Sequence, residues 1–206
     1  MAVLTKTRIN PEEYLAIERR AETKSEYLDG EMFAMTGVTR RHSLVTTNLV
    51  REISQRLIDR PCEVHSSDLR VHIPMTGLYT YPDLAVVCGE PRFQEDQEVD
   101  TLLNPTLIIE VLSPTTEAYD RGKKFEHYNA VESLAEYVLV SQTAPRVEQF
   151  VRQDGGHWLF TATSGLDAKV LFPTIGCELA LAEIYHKVPL GAEPSPPAPL
   201  PRAGEG

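Results

Sequence analysis

The chain has 206 residues, with 20 Lys and Arg against 30 Asp and Glu, and so a formal net charge of −10. This balance argues against a protein that coats nucleic acid, whose surface is normally basic, but not against an enzyme that meets DNA through a local basic patch. Hydrophobic residues make up 42% and charged residues 24%, as in ordinary soluble domains. No apolar run approaches the roughly 20 residues of a membrane span, and the N-terminus lacks a stretch of signal-peptide type, so we expect a cytoplasmic protein.

The first part of the chain predicts a short helix, a hairpin and a long helix. Asn10 suits a helix N-cap, and Pro11 suits the first helical position. Asp29 and Gly30 stand between two arms of alternating apolar residues, which predicts a β-hairpin. From residue 39 to residue 60, apolar residues recur at helical spacing, which predicts a long helix.

The middle and the end of the chain predict further strands around one helix. Strands are predicted at 63–73, 83–89, 106–112 and 135–141, a helix at 115–131, a hairpin at 146–163, and terminal segments at 168–173 and 177–185. The order strand, helix, strand from 106 to 141 predicts a parallel crossover. The whole pattern predicts an α/β domain, bordering on α+β, with one mixed sheet flanked by helices.

The composition changes near the C-terminus. Residues 189–206 are rich in Pro, Gly and Ala, which predicts a disordered tail after a single domain over residues 1–188. The three cysteines, Cys62, Cys88 and Cys177, are odd in number and widely spaced. We expect neither a disulfide framework nor a zinc site, but small core or near-surface residues.

Two carboxylates interrupt predicted apolar strands. Glu110 lies in the middle of the run PTLIIEVLS, where an ionised group costs several kcal/mol unless something positive meets it. Asp83 begins the apolar run after Pro82, which suits a strand start. If the two strands pair, the carboxylates converge and require a proton or a cation between them. Oxygen ligands of this kind suit Mg²⁺ or Mn²⁺.

A lysine completes the candidate site. In the predicted helix after Glu110, Lys124 lies four residues before Tyr128 and seven before Val131, so it shares their protein-facing side. Lys123 points nearer to solvent. Taken alone, each charged residue has a simpler explanation: a capping Asp, an edge-strand Glu or a solvated Lys. Their combination in this order favours a catalytic set.

The motifs resemble the PD-(D/E)xK nuclease superfamily and, in finer detail, its restriction-endonuclease-like Uma-two family. The matching stretches are YLDGEMFAM, RRHSLVTTNLVREI, YPDLAVV, LIIEVLSPTT, YDRGKKFEHY and AEYVLV, which span most of residues 10–185. The superfamily lysine would stand two residues after Glu110, where this chain has Leu112. The resemblance implies that the lysine has migrated to the next helix, at Lys124. It also implies a restriction-endonuclease-like fold. The family often carries an acidic residue just after the AEYVLV strand, where this chain has Ser141.

There are four accessory candidates, and the resemblance supplies three of them. Glu31 matches the family's DGE motif and is either an outer carboxylate or a solvent-facing hairpin residue. His42 matches a family histidine at the start of the long helix and is either a site residue that orients a phosphate or a water, or a core histidine. Asp68 matches a family position and either serves the site or bonds a turn. Tyr128 is the fourth candidate, because it shares the protein-facing side of its helix with Lys124.

The combined interpretation is a metal-dependent endonuclease that hydrolyses phosphodiester bonds of DNA. Asp83 and Glu110 would bind one Mg²⁺ or Mn²⁺, with the Val111 carbonyl as a further ligand, and Lys124 would stabilise the charge of the transition state. A catalytically inactive nuclease fold that serves as a binding or scaffolding protein is the alternative. A glycosidase that uses the two carboxylates ranks last, because the chain has one Trp and no aromatic sugar platform.

The predicted partner is DNA. The long helix is locally basic, which is either a solvated face or a strip that contacts phosphates; its arginines are Arg40, Arg41, Arg51 and Arg56. We expect a homodimer, because a single-domain nuclease needs two active sites to cut both strands, and no membrane partner.

Overall fold

The computed structural model describes residues 8–94 and 100–191, and within them the chain forms one long helix and several short ones around three β-sheets. The helices are α1 (Pro11–Glu18), α2 (Arg40–Arg56), α3 (Glu117–Tyr119), α4 (Phe125–Asn129) and α5 (Leu181–Ile184), with a π-helical turn at Asp120–Lys124 between α3 and α4.

The strands are β1 (Ser25–Leu28), β2 (Glu31–Ala34), β3 (Cys62–Ser66), β4 (Arg70–Ile73), β5 (Leu78–Thr80), β6 (Leu84–Cys88), β7 (Thr101–Leu102), β8 (Leu107–Leu112), β9 (Glu136–Ser141), β10 (Arg146–Arg152), β11 (Trp158–Ser164), β12 (Lys169–Phe172) and β13 (Cys177–Ala180).

The central sheet has six strands in the order β11-β10-β9-β8-β6-β3. Its β8 and β9 run parallel and are joined by the helical segment between them, so the predicted crossover is confirmed. A second sheet has the order β2-β1-β5-β4-β7, and β12 and β13 form a separate pair. The prediction of mixed α/β architecture is confirmed, but the prediction of one sheet is wrong.

The sheet number differs from the prediction because the segment 63–73 is not one strand. The chain turns between β3 and β4, so β3 pairs with β6 in the central sheet while β4 pairs with β5 in the second sheet. The apolar alternation of this segment carries no mark of the turn except the polar run around Asp68. Strands β5 and β7 were not predicted, because they span only three and two residues.

The N-terminal elements form as the local signals predict. The Asn10 side chain accepts a hydrogen bond from the Glu13 N–H at 2.8 Å, and the Glu13 carboxylate accepts one from the Asn10 N–H at 2.8 Å, which is a complete capping box. In the β1–β2 hairpin, Asp29 and Gly30 have φ angles of 47° and 84°, the left-handed pair that a tight hairpin turn requires.

The two faces of the central sheet bury different elements. Leu107, Ile109 and Val111 of β8 pack in the cluster that includes Leu49 and Ile53 of α2. The alternate residues Ile108 and Leu112 pack in the cluster that includes Tyr128 of α4 and Ile73 of the second sheet. Glu110 alternates with Ile108 and Leu112, so its side chain belongs to the second face. The strand is buried on both faces, which explains its continuous apolar sequence.

Glu136 is a fully buried carboxylate in the same sheet. Its two oxygens accept hydrogen bonds from Gln149 Nε2 and Thr174 Oγ1, both at 2.7 Å, and so link β9 to β10 and to the β12–β13 turn. Burial raises the pKa of this carboxyl, and the two hydrogen bonds oppose the rise. The sequence did not single out this residue, because nothing local distinguishes it from a strand-end glutamate.

The cysteine prediction is wrong for two of the three residues. Cys62 and Cys88 lie opposite each other on the antiparallel strands β3 and β6 and form a disulfide. Their separation of 26 residues gives no sign of this pairing in the sequence, because it depends on the register of the two strands. Cys177 is a buried free thiol, as expected.

The predicted tail falls outside the described residues from 192 onward. Among the residues that the structure does describe, none of the helices has both the length and the apolar character needed to cross a membrane.

Candidate active site

The strands β6 and β8 bring Asp83 and Glu110 together. Leu84 pairs with Ile109 in this antiparallel ladder, so continuing the register by one residue places Asp83 opposite Glu110. The Asp83 Oδ2 atom accepts a hydrogen bond from the Val111 main-chain N–H at 2.8 Å, which ties the carboxylate to the next residue of β8. Convergence of the two carboxylates therefore follows from the strand pairing, as the sequence predicted.

His42 holds the same carboxylate from the other side. It lies in the first turn of α2, where the Thr39 side chain caps the helix and accepts a hydrogen bond from the His42 N–H at 3.2 Å. Its Nε2 is 3.2 Å from Asp83 Oδ2. The long helix therefore positions a histidine against the aspartate, and the structure places this accessory candidate in contact with Asp83.

Glu110 is 4% exposed, and its partners come from the helical segment that follows β8. Glu110 Oε1 is 2.9 Å from Lys124 Nζ and accepts a hydrogen bond from the Tyr128 hydroxyl at 2.9 Å. Lys124 is itself 5% exposed, whereas Lys123 is exposed. The structure thus places Lys124 and Tyr128 on the protein-facing side, where the helical spacing predicted them.

Lys124 lies at the end of a π-helical turn. The predicted continuous helix over 115–131 is in fact α3, the turn Asp120–Lys124 and α4, which ends at Asn129. Such wide turns are rare, and they occur often at functional sites. Here Asp120 and Lys124 both face the interior, and their Oδ1 and Nζ atoms are 3.7 Å apart.

The sequence missed two carboxylates that surround the lysine. Glu26, from β1 of the second sheet, places its Oε1 atom 3.1 Å from Lys124 Nζ. Asp120 is buried beside it. Asp120 stands four residues before Lys124, a helical ion-pair spacing that could have revealed it. Glu26 carries no such signal, since its approach depends on how the second sheet packs against the helix.

The acidic surroundings set the charge state of the cluster. Burial raises the pKa of the Glu110 carboxyl to about 8; the Lys124 cation opposes this rise, while Asp120 and Asp83 add to it. Burial lowers the pKa of Lys124, but the carboxylates of Glu110, Glu26 and Asp120 outweigh it and hold the pKa well above 10.5. Lys124 is therefore a cation and a hydrogen-bond donor at neutral pH, with no capacity to act as a base.

The cluster contains more carboxyl groups than cationic groups. Burial is the main cause that raises the pKa of the Asp120 carboxyl. Lys124 and a hydrogen bond from Thr116 oppose this rise, and the nearby carboxylates of Glu26 and Asp83 add to it. One ammonium group thus stands among four carboxylates, those of Glu26, Asp83, Glu110 and Asp120. An additional cation would relieve this repulsion.

The donor set fits a divalent ion that keeps several waters. Across residues 8–94 and 100–191, no group of three or more His, Cys, Asp or Glu side chains is arranged to hold a metal ion. The predicted set has only two carboxylates and one main-chain carbonyl, which is the kind of set that Mg²⁺ uses. In the described contacts, Asp83 uses Oδ2 and Glu110 uses Oε1, so the second oxygen of each remains for a cation.

Two other candidates lie away from Lys124, one in a turn and one in a hairpin. Asp68, in the turn between β3 and β4, forms an ion pair with Lys24 at 2.7 Å and has a largely exposed side chain. Its contacts are those of a turn residue. Glu31 is partly buried at the start of β2, opposite Leu28, and the hairpin residue that contacts Lys124 is Glu26.

The arginines Arg51 and Arg56 of α2 form ion pairs within the chain. Arg56 contacts Glu52 and Glu183, both at 2.6 Å, and Arg51 contacts Glu52 at 2.7 Å. These two arginines are thus partly neutralised within the chain. Arg40, at the start of α2, is exposed and lies two residues from His42.

Comparisons with known proteins give a family match and two similar proteins. The Uma2 family model, described as "Putative restriction endonuclease", matches residues 11–182. Two uncharacterized proteins of Synechocystis sp. are similar to the chain: slr1290 is 39% identical over 182 residues, covering 87% of this chain and 92% of that protein, and sll1609 is 35% identical over 172 residues, covering 84% and 97%.

A solved structure shares the fold. The crystal structure of a putative nuclease belonging to DUF820 from Anabaena variabilis matches with a TM-score of 0.69 at 20% identity, covering 86% of this chain and 97% of that one. The predicted restriction-endonuclease-like fold class is confirmed. Because the family model spans most of the described residues and the Synechocystis proteins match over nearly their whole length, the chain belongs to the Uma2 family of putative restriction endonucleases.

Proposed function

We propose that the chain is a metal-dependent endonuclease that hydrolyses phosphodiester bonds of DNA. Membership of the family supports a nuclease. The observation that carries the finer proposal is the buried contact between Lys124 Nζ and Glu110 Oε1, beside a second carboxylate in register on the neighbouring strand. A buried charged cluster of this kind is costly, and packed apolar residues would serve stability equally well, which favours a chemical role.

Asp83 and Glu110, with the Val111 carbonyl, would hold the divalent ion, Mg²⁺ or Mn²⁺. When bound, the ion lowers the pKa of a water at the site and offsets charge on the phosphate oxygens. The protein's contribution is orientation. The Val111 N–H and His42 fix the Asp83 carboxylate through Oδ2, and Lys124 and Tyr128 fix the Glu110 carboxylate through Oε1.

Lys124 would act on the substrate as a fixed positive charge. Its pKa is held high, so it donates a hydrogen bond to the attacking water or to a non-bridging phosphate oxygen and stabilises the negative charge of the transition state. Lys124 lies on the element that follows β8 rather than on β8 itself, yet its ammonium reaches the carboxylate of that strand at 2.9 Å. This geometry supports the migrated lysine that the resemblance implies.

The test is cleavage of supercoiled plasmid by the purified full chain with Mg²⁺, with Mn²⁺ and with EDTA, alongside an RNA of matched sequence. We expect nicked or linear DNA with either ion, none with EDTA, and none from Glu110→Ala. Equal nicking by the wild type and Glu110→Ala would refute the assignment. Binding of DNA without cleavage would favour the alternative, an inactive nuclease fold that serves as a binding protein.

A further inference from the structure

We propose that Glu26 is a positioning residue that aims the Lys124 ammonium at the substrate. The effect of Glu26 on catalysis rests on the proposed nuclease function, whereas the anchoring of Lys124 rests on the described contacts. Glu26 belongs to the second sheet, so the proposal gives that sheet a part in the chemistry of the central one.

The hydrogen-bonding capacity of the lysine leads to this role. An ammonium group has three N–H donors and no acceptor. Among the residues that the structure describes, two carboxylate oxygens lie within hydrogen-bonding distance of Lys124 Nζ: Glu110 Oε1 at 2.9 Å and Glu26 Oε1 at 3.1 Å. Asp120 Oδ1, at 3.7 Å, is beyond that distance. The Glu110 and Glu26 carboxylates thus occupy two donors and leave the third for a water or a phosphate oxygen.

The second anchor is what fixes the direction of the third donor. With Glu110 alone, the ammonium group would rotate about its single hydrogen bond and about its own terminal bond. With two anchors on different elements, the Nζ position and the remaining N–H direction are both determined. Positioning to within a fraction of an ångström has large effects on rate, since a misplacement of about 1 Å can cost on the order of 10²-fold.

Glu26 is itself held in place. Thr80, fully buried in the neighbouring strand β5, donates a hydrogen bond from its hydroxyl to the same Oε1 atom that contacts Lys124. The pairing of Tyr27 with Tyr79 sets Glu26 beside Thr80 in the antiparallel ladder. The second sheet therefore holds one acceptor oxygen in a fixed position for the lysine. A flexible ion pair on the surface does not fix its acceptor in this way.

Two substitutions of Glu26 should have different effects on Lys124. Glu26→Gln keeps an acceptor oxygen at the same place, so it should preserve most of the aim of Lys124. Glu26→Ala removes the anchor. Glu126→Ala is the matched control, because Glu126 is an exposed carboxylate of α4 two residues after Lys124.

The first measurement does not depend on activity. In the metal-free full chain with ¹⁵N-labelled lysine, the NH₃⁺ order parameter of Lys124 should be high in the wild type and Glu126→Ala and retained in Glu26→Gln. It should fall clearly in Glu26→Ala. An unchanged order parameter in Glu26→Ala overturns the proposal, whether or not the protein cuts DNA.

The second measurement connects the anchor to catalysis. Steady-state cleavage by Glu26→Ala should show a kcat lower by roughly 10- to 100-fold with little change in KM, and Glu26→Gln should recover most of the loss. A purely structural role would lower the melting temperature and leave the kcat of the folded fraction unchanged, which would refute the proposal. If the wild type cuts no nucleic acid, the nuclease function fails, and the order parameter alone decides the anchoring role.

Discussion

Replacing Glu110 by Gln tests the electrostatic strain at the centre of the site. The Glu110→Gln substitution would keep the shape of the side chain and an Oε1 acceptor for Lys124 and Tyr128, but the new side chain would remain neutral at every pH. The wild-type carboxyl has its pKa raised from 4.5 to about 8, because it is buried and lies near Asp120 and Asp83. The variant and the wild type should therefore differ in their response to pH.

The direction and size of the difference follow from linkage. The folded chain binds the Glu110 proton more tightly than the unfolded chain does, so the free energy of unfolding falls as the pH rises from about 4.5 to about 8. At about 1.4 kcal/mol per pH unit, the free energy of unfolding falls by on the order of 5 kcal/mol in total, and about 3 kcal/mol of this has been lost at pH 7. The Gln variant escapes this loss.

The assay is denaturant unfolding in EDTA at pH 5, 7 and 9. Near pH 5 the two proteins should have similar stability, and at pH 7 and 9 Glu110→Gln should be the more stable, since Lys124 keeps Glu26 as a partner. A hundredfold excess of Mn²⁺ over Kd should then stabilise the wild type by about 2–3 kcal/mol and the variant much less. A Glu110→Gln protein that is far less stable at every pH would show that the carboxylate is a structural partner of Lys124 and would refute the reasoning.

Three further predictions address other residues. Lys124→Ala should lose roughly 10²-fold or more in kcat while Lys123→Ala keeps most activity, and single-turnover cleavage would expose the reverse ranking. Glu136→Gln should lose less stability than the wild type between pH 5 and pH 9, because burial raises the pKa of Glu136 and its ionised form is disfavoured in the fold; an equal loss in denaturant unfolding would contradict this. Under denaturing, non-reducing conditions, thiol labelling should find one reactive cysteine per chain and three after reduction, since Cys62 and Cys88 are paired; three at the outset would exclude the disulfide.

The sequence predicts local features well because local chemistry determines them. The Asn10 cap, the Asp29-Gly30 turn and the alternation of β8 each depend on a few neighbouring residues. The same holds for the placement of Lys124, because helical spacing survives the π-helical turn well enough to keep the lysine on the inward side.

The missing parts of the prediction depend on non-local register. Glu26 reaches Lys124 only because the second sheet packs against the helical segment, and a strand glutamate has no periodic sign of such a contact. The Cys62–Cys88 pairing depends on the alignment of β3 with β6. The segment 63–73 divides into two strands at the polar turn around Asp68. The alternation of apolar residues continues across this turn, so the pattern alone predicts one strand.

The most direct test of the central claim is calorimetric titration of the metal-free protein with Mn²⁺. If Asp83 and Glu110 jointly hold one ion, the wild type and Lys123→Ala should each bind one Mn²⁺ per chain, and Asp83→Asn and Glu110→Gln should each lose that binding. Binding that is unchanged in both carboxylate variants, or absent from the wild type, would contradict the account.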